Sequence, residues 1–268
     1  MPIGPRVGQG WGPARLHSSK RAGVQRVVAA DRPNPAEVAG SVREFRIAVS
    51  QDVAVSALLL MPPDPSCLYV FAHGAGAGMR HSFIEAVADG LARRGIATLR
   101  YQFPYMEHGS RRPDPPHLAH ATVRAAVDVA CDIAPGLALI AGGKSFGGRM
   151  TSQAQADAPL AGVVGLAFLG WPLHPAGKPA AERADHLSAI KVSTLFIQGT
   201  HDALADPQLL KKIIKGLGRR APLFEIPDGD HSFHVPARIG RTDEQVLSIA
   251  LDPFRDGLRL SFGGPTSR

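Results

Sequence analysis

One short stretch constrains the fold of this chain more than any other: Gly142-Gly143-Lys144-Ser145-Phe146-Gly147-Gly148, set between an apolar run at 137–141 and a helix-forming segment at 146–155. It contains G-x-S-x-G with further glycines on both sides. A serine held on a sharp strand-to-helix turn needs neighbouring backbone to pass close by, and glycines remove the Cβ atoms that would obstruct it. The geometry strains the serine and presents its hydroxyl at the carboxyl end of the strand, beside a helix N-terminus. That placement requires a parallel sheet with helices following its strands.

The flanking sequence supplies such a sheet. From position 42 onward, short β-branched or apolar runs alternate with longer amphipathic stretches, the pattern of βαβ units. The periodicity predicts a hairpin over 43–49 and 53–61, then strands at 67–72, 96–101, 137–141, 160–168, 194–198 and 223–226. Helices are expected at 82–94, 117–133, 146–155, 207–217 and from about 243 to 260. Gly95 follows the first helix at the position where a left-handed residue ends a helix. Two connections stand out, 102–116 and 169–189. The second is too short to hold a large cap domain, and loops this long in a compact domain are often functional.

A serine hydroxyl is a weak nucleophile until a base takes its proton, and an imidazole base needs an acid to fix its tautomer. Asp202 stands three residues after Gly199, at the end of the strand 194–198. His231 lies in Asp230-His231-Ser232-Phe233 after the strand 223–226. The order Ser145, Asp202, His231 is the chain order of hydrolases built on this elbow. Asp206 and His201 compete with Asp202, and His234 with His231, but none of them keeps both the Gly-x-x-Asp and the Asp-His-x-Phe spacing. His73-Gly74-Ala75-Gly76 follows the strand ending at Ala72, where an oxyanion-binding loop belongs, so the N–H groups of Ala75 and Phe146 are the candidate donors. His73 is read as shaping that loop, not as the base.

Other chemistries fit less well. A phosphate-binding P-loop ending in Gly143-Lys144-Ser145 needs glycine at position 138, which is alanine inside an apolar run. A dinucleotide fingerprint starting at Gly74 needs glycine where Met79 stands. The histidine pairs His117/His120 and His231/His234 lack accompanying carboxylates, so no metal ligand is assigned and no cofactor is expected.

Composition adds limits. The formal charge of +7 draws heavily on Arg6, Arg15, Lys20, Arg21, Arg26 and Arg32, which precede Glu37 and are opposed there by Asp31 alone. Residues 1–40, rich in Gly, Pro, Arg and Ser, are expected to be a disordered basic extension before a domain at 41–262. No nucleic-acid motif accompanies that charge, so no specific nucleic-acid partner is expected. Cys67 and Cys131 form neither a metal nor a disulfide pattern. No apolar run reaches the ~20 residues that span a bilayer, and a cytoplasmic location without membrane attachment is the expectation.

With these residues in place, the chain resembles the dienelactone-hydrolase-related α/β-hydrolases. More narrowly it is similar to the bacterial branch of the family that includes vertebrate testis-expressed and NSL-complex-subunit hydrolase-like proteins. The resemblance runs from about Val42 to the last helix. It rests on His73 to Gly76, on Gly142 to Arg149, on Trp171-Pro172-Leu173-His174-Pro175-Ala176-Gly177-Lys178-Pro179, and on Phe103-Pro104-Tyr105 with Gly109, Arg111 and Arg112. Phe146 stands where relatives often have Met, and Ala176 where Pro is common.

The resemblance implies an α/β-hydrolase fold, a mostly parallel twisted sheet of about seven or eight strands flanked by helices, without a large cap domain. It implies a serine hydrolase acting on a small acyl substrate. A catalytically silent scaffold domain is the alternative, because some relatives are scaffold subunits. The loops after Tyr101 and Phe168 are expected to overhang the site. Tyr105, Arg111, Arg112, Lys144, Trp171 and Lys178 are therefore the candidate substrate contacts, and the four cations among them favour a carboxylate- or phosphate-bearing substrate.

Overall fold

In the computed structural model, residues 41–261 are described; the proposed extension 1–40 lies outside them. The chain forms one eight-stranded sheet flanked by helices. Strands are β1 (Val42–Ala48), β2 (Ala54–Leu60), β3 (Cys67–Ala72), β4 (Ile96–Tyr101), β5 (Ala138–Lys144), β6 (Val163–Leu169), β7 (Ser193–Gly199) and β8 (Leu223–Ile226). Helices are α1 (Ser82–Ala92), α2 (Pro104–Glu107), α3 (Pro116–Ile133), α4 (Phe146–Asp157), α5 (Pro207–Leu217) and α6 (Asp243–Ser261). The strand order is β1-β2-β4-β3-β5-β6-β7-β8. β2 pairs antiparallel with β1 and β4, and every pairing from β4 to β8 is parallel.

The strand sequences explain the layering. β3, Cys-Leu-Tyr-Val-Phe-Ala, is buried at every position, as expected of a strand covered on both faces. Its alternate residues feed two cores. Leu68, Val70 and Ala72 pack in one with Val123, Ala126 and Val127 of α3, Met150 of α4 and Leu210 of α5. Cys67, Tyr69 and Phe71 pack in the other with Ile84, Val87 and Leu91 of α1 and Val246, Ala250, Leu251 and Phe254 of α6.

β6 begins at Val163, three residues later than expected, and the other main departures concern the segments nearest the site. β5 runs three residues beyond 141, through Gly142, Gly143 and Lys144, and stays paired with β6 to Lys144↔Leu169. A Cβ on Gly142 would lie 1.8 Å from the Ala167 carbonyl oxygen, so this position fits only without a side chain. The loop after β4 contains the short helix α2, with Pro104 in its first turn, where a missing N–H costs nothing. Among the described residues no large cap domain is inserted. The connection between β6 and β7 instead carries a 3-10 stretch, Glu182–Ala189, that packs against α4. No helix among the described residues is long and apolar enough to cross a membrane.

Candidate active site

Ser145 sits between β5 and α4 with φ 50° and ψ −116°, a conformation a residue with a Cβ adopts only when its surroundings impose it. Its N–H continues the sheet by donating to Leu169 O at 3.1 Å, while its carbonyl accepts from Arg149 N at 3.0 Å and starts the helix. The turn is tight because two glycines allow it. A Cβ on Gly143 would stand 2.5 Å from Ala72 O, and one on Gly147 2.5 Å from His73 O. β3 and the loop after it therefore press directly against the elbow.

The ends of β7 and β8 bring up the other two residues. The Asp202 side chain is fully buried, and its carboxylate accepts three hydrogen bonds. Leu204 N donates to Oδ1 at 2.8 Å, Gln198 Nε2 to Oδ2 at 2.5 Å, and His231 Nδ1 to the same Oδ2 at 2.7 Å. A carboxylate only accepts, so His231 carries its proton on Nδ1 and leaves Nε2 as an acceptor. Ser145 Oγ lies 2.8 Å from that Nε2.

His231 is carried by a tight turn. Asp230 accepts from Ser232 N at 2.7 Å and from His234 N at 3.0 Å, and Phe233 has φ 66°. The turn rests on β7, where a Cβ on Gly199 would lie 2.2 Å from Gly229 O and 2.4 Å from Asp230 O.

The loop 73–77 passes beside the serine, so that a Cβ on Gly74 would lie 3.7 Å from Ser145 Cβ. His73 is fully buried, and its Nε2 accepts from Phe103 N at 3.0 Å while Nδ1 donates to Gly74 O at 2.8 Å. Burial holds this imidazole neutral, pushing it down to about 4. Because the peptide is planar and trans, fixing Gly74 C=O toward His73 turns the Ala75 N–H the opposite way. Tyr105 Oη accepts from Gly76 N at 3.1 Å and steadies the next peptide. Phe146 N, at the first helical position, has no acceptor within its own helix.

The remaining sequence candidates are dispersed. Lys144 is buried, and Nζ donates to His231 O at 2.6 Å, so its charge points into the protein. Trp171 is fully buried, with its indole N–H 3.4 Å from Ser152 Oγ. Arg111, Arg112 and Lys178 are exposed, and Tyr105 is buried against Phe103 and Phe146. Sequence reasoning missed Gln198, which bonds Asp202 through Nε2 and accepts from Trp171 N through Oε1 at 2.8 Å. A glutamine at a strand end has no pattern that would single it out.

A sheet of this order, with a serine elbow after its fifth strand and an aspartate and a histidine beyond its seventh and eighth, defines the α/β-hydrolase class of domains. The chain belongs to the family described as alpha/beta hydrolase domain, whose model matches residues 65–256. No curated protein sequence matches it.

Solved structures share the fold. A dienelactone hydrolase from Anabaena variabilis superposes with a TM-score of 0.65 at 21% identity, over 82% of this chain and 98% of that one. An α/β serine hydrolase without lid from Xanthomonas campestris gives 0.62 at 19%, over 86% and 97%. Est1E from Butyrivibrio proteoclasticus gives 0.60 at 18%, over 79% and 98%.

Proposed function

We propose that this protein is a serine hydrolase that cleaves an ester or related acyl bond of a small molecule through an acyl-enzyme. The observation that carries the reading is the unbroken line from Ser145 Oγ through the imidazole of His231 to Asp202, with both links within hydrogen-bond distance. On this reading His231 Nε2 removes the hydroxyl proton as Oγ attacks the carbonyl carbon, and the imidazolium that forms is held by Asp202. The N–H groups of Ala75 and Phe146 receive the developing oxyanion, each contributing about 3 kcal/mol to the transition state. His231 then returns the proton to the leaving group, and water, deprotonated by the same imidazole, releases the acid.

The neighbours described as a serine hydrolase and a dienelactone hydrolase support the class of reaction. The narrower kinship with the testis-expressed and NSL-complex-subunit branch rests on the sequence motifs alone. Labelling with a fluorophosphonate probe tests the proposal. Wild type is expected to label at one site and Ser145→Ala not at all. Absence of labelling in both would overturn the reading and leave a silent scaffold.

A further inference from the structure

Building on the hydrolase reading, we propose that Lys144 is a positioning residue: its ammonium ties the turn that carries the base to the nucleophile elbow and keeps a positive charge beside the imidazole. Three observations meet at this side chain. Lys144 immediately precedes Ser145, yet its Nζ donates to the backbone carbonyl of His231, 87 positions away in sequence. The ammonium also lies 5.7 Å from the ring centroid of Phe83 in α1 and 5.8 Å from that of Phe233 in the turn itself. Gly170, after β6, closes the remaining side. A Cβ there would stand 2.7 Å from Nζ, 3.1 Å from His231 O and 3.4 Å from His231 Cε1. One pocket, shared by four segments, thus holds both the ammonium and the backbone of the base.

The turn needs such a tie. Its N–H groups at Ser232 and His234 are taken up by the Asp230 carboxylate, whereas the His231 carbonyl projects inward, where Lys144 supplies the donor. The charge is costly to hold in this position. Loss of solvent lowers the ammonium to about 8 even though Asp202 and Asp230 both face it and favour the charged form. The two ring faces offset part of that cost. A Cβ at Gly170 would touch both the ammonium and the imidazole, so the charge lies beside the ring.

Lys144→Met keeps the stem and removes the charge and the donor. Fluorophosphonate labelling and p-nitrophenyl acetate turnover are expected to fall by about ten-fold or more, with KM within about two-fold. The thermal midpoint is expected to fall by no more than a few degrees, because the donor lost to His231 O is offset in part by the desolvation cost removed with the charge. Lys144→Gln, which keeps a neutral donor, shows a smaller loss of kcat.

Wild-type labelling in Lys144→Met overturns the proposal, as does a loss in that variant that falls on KM instead of kcat. So does a Met variant that melts well below wild type, because the lysine is then a structural prop. Failure of wild type itself to label overturns the hydrolase reading, and this inference with it.

Discussion

Replacing Gln198 by leucine removes a side chain that joins three parts of the site. Gln198 is 3% exposed on β7, and its amide bonds the Asp202 carboxylate on one side and the Trp171 N–H on the other. Leucine fills the volume but offers neither group. Asp202 keeps two of its three donors, and a hydrogen bond to a charged acceptor contributes about 1.5–3 kcal/mol. Trp171 is fully buried, and leaving its backbone N–H without an acceptor costs a further ~1–3 kcal/mol.

Burial of the added apolar surface returns about 1–2 kcal/mol. The expected net loss is therefore about 2–4 kcal/mol, a large share of the ~5–15 kcal/mol that holds a domain folded. Urea unfolding reads it as a lower midpoint at unchanged slope. Turnover is expected to fall as well, because the carboxylate oxygen that holds His231 loses its second donor.

Gln198→Glu is the sharper probe. It sets a second carboxyl against Asp202, where two adjacent carboxylates cannot both stay ionised, and it should depress turnover further than leucine does. A leucine variant within ~0.5 kcal/mol of wild type and fully active would refute the argument that this amide organises the acid.

Two further outcomes follow from the packing of the same region. Gly199→Ala puts a methyl group into the carbonyls of Gly229 and Asp230, which are backbone and can yield only by moving the turn that carries His231. Since a displacement of ~1 Å at a reacting group costs on the order of a hundred-fold, kcat/KM for p-nitrophenyl acetate should fall by about that factor, and a fall under three-fold would contradict the geometry.

His73, held neutral down to about 4, has a depressed folded-state pKa relative to its ordinary 6.5. Its contribution is fully present above pH 6.5 and is lost as the pH falls from 6.5 toward 4, because the unfolded chain then takes up a proton the native state refuses. The span corresponds to about 3 kcal/mol. Urea midpoints between pH 7.5 and 4.5 should therefore fall less steeply in His73→Asn than in wild type, and parallel curves would rule the assignment out.

Local pattern determined much of the molecule. β3, β4, α5 and β8 begin and end where periodicity and punctuation put them, since each is a short apolar run or an amphipathic stretch closed by Gly, Pro or Asp. The elbow was equally plain, because only glycines tolerate the approach of Ala72, His73 and Gly148 to Gly143 and Gly147. The order of Ser145, Asp202 and His231, with the family resemblance, was enough to select three residues that the fold brings within hydrogen-bond distance of one another.

Contact between distant segments decided the rest. The run through Gly142 and Gly143 looks like a turn in isolation and becomes strand because β6 supplies ladder partners for it. Lys144 and Trp171 look like pocket residues beside a nucleophile and on a long loop, yet one turns inward to His231 O and the other is sealed in the core. Gln198 had no signal at all. Periodicity reports which face of an element is apolar; where a single polar atom points depends on which carbonyl, carboxylate or ring the fold places opposite it, and those partners are 4 to 87 residues away along the chain.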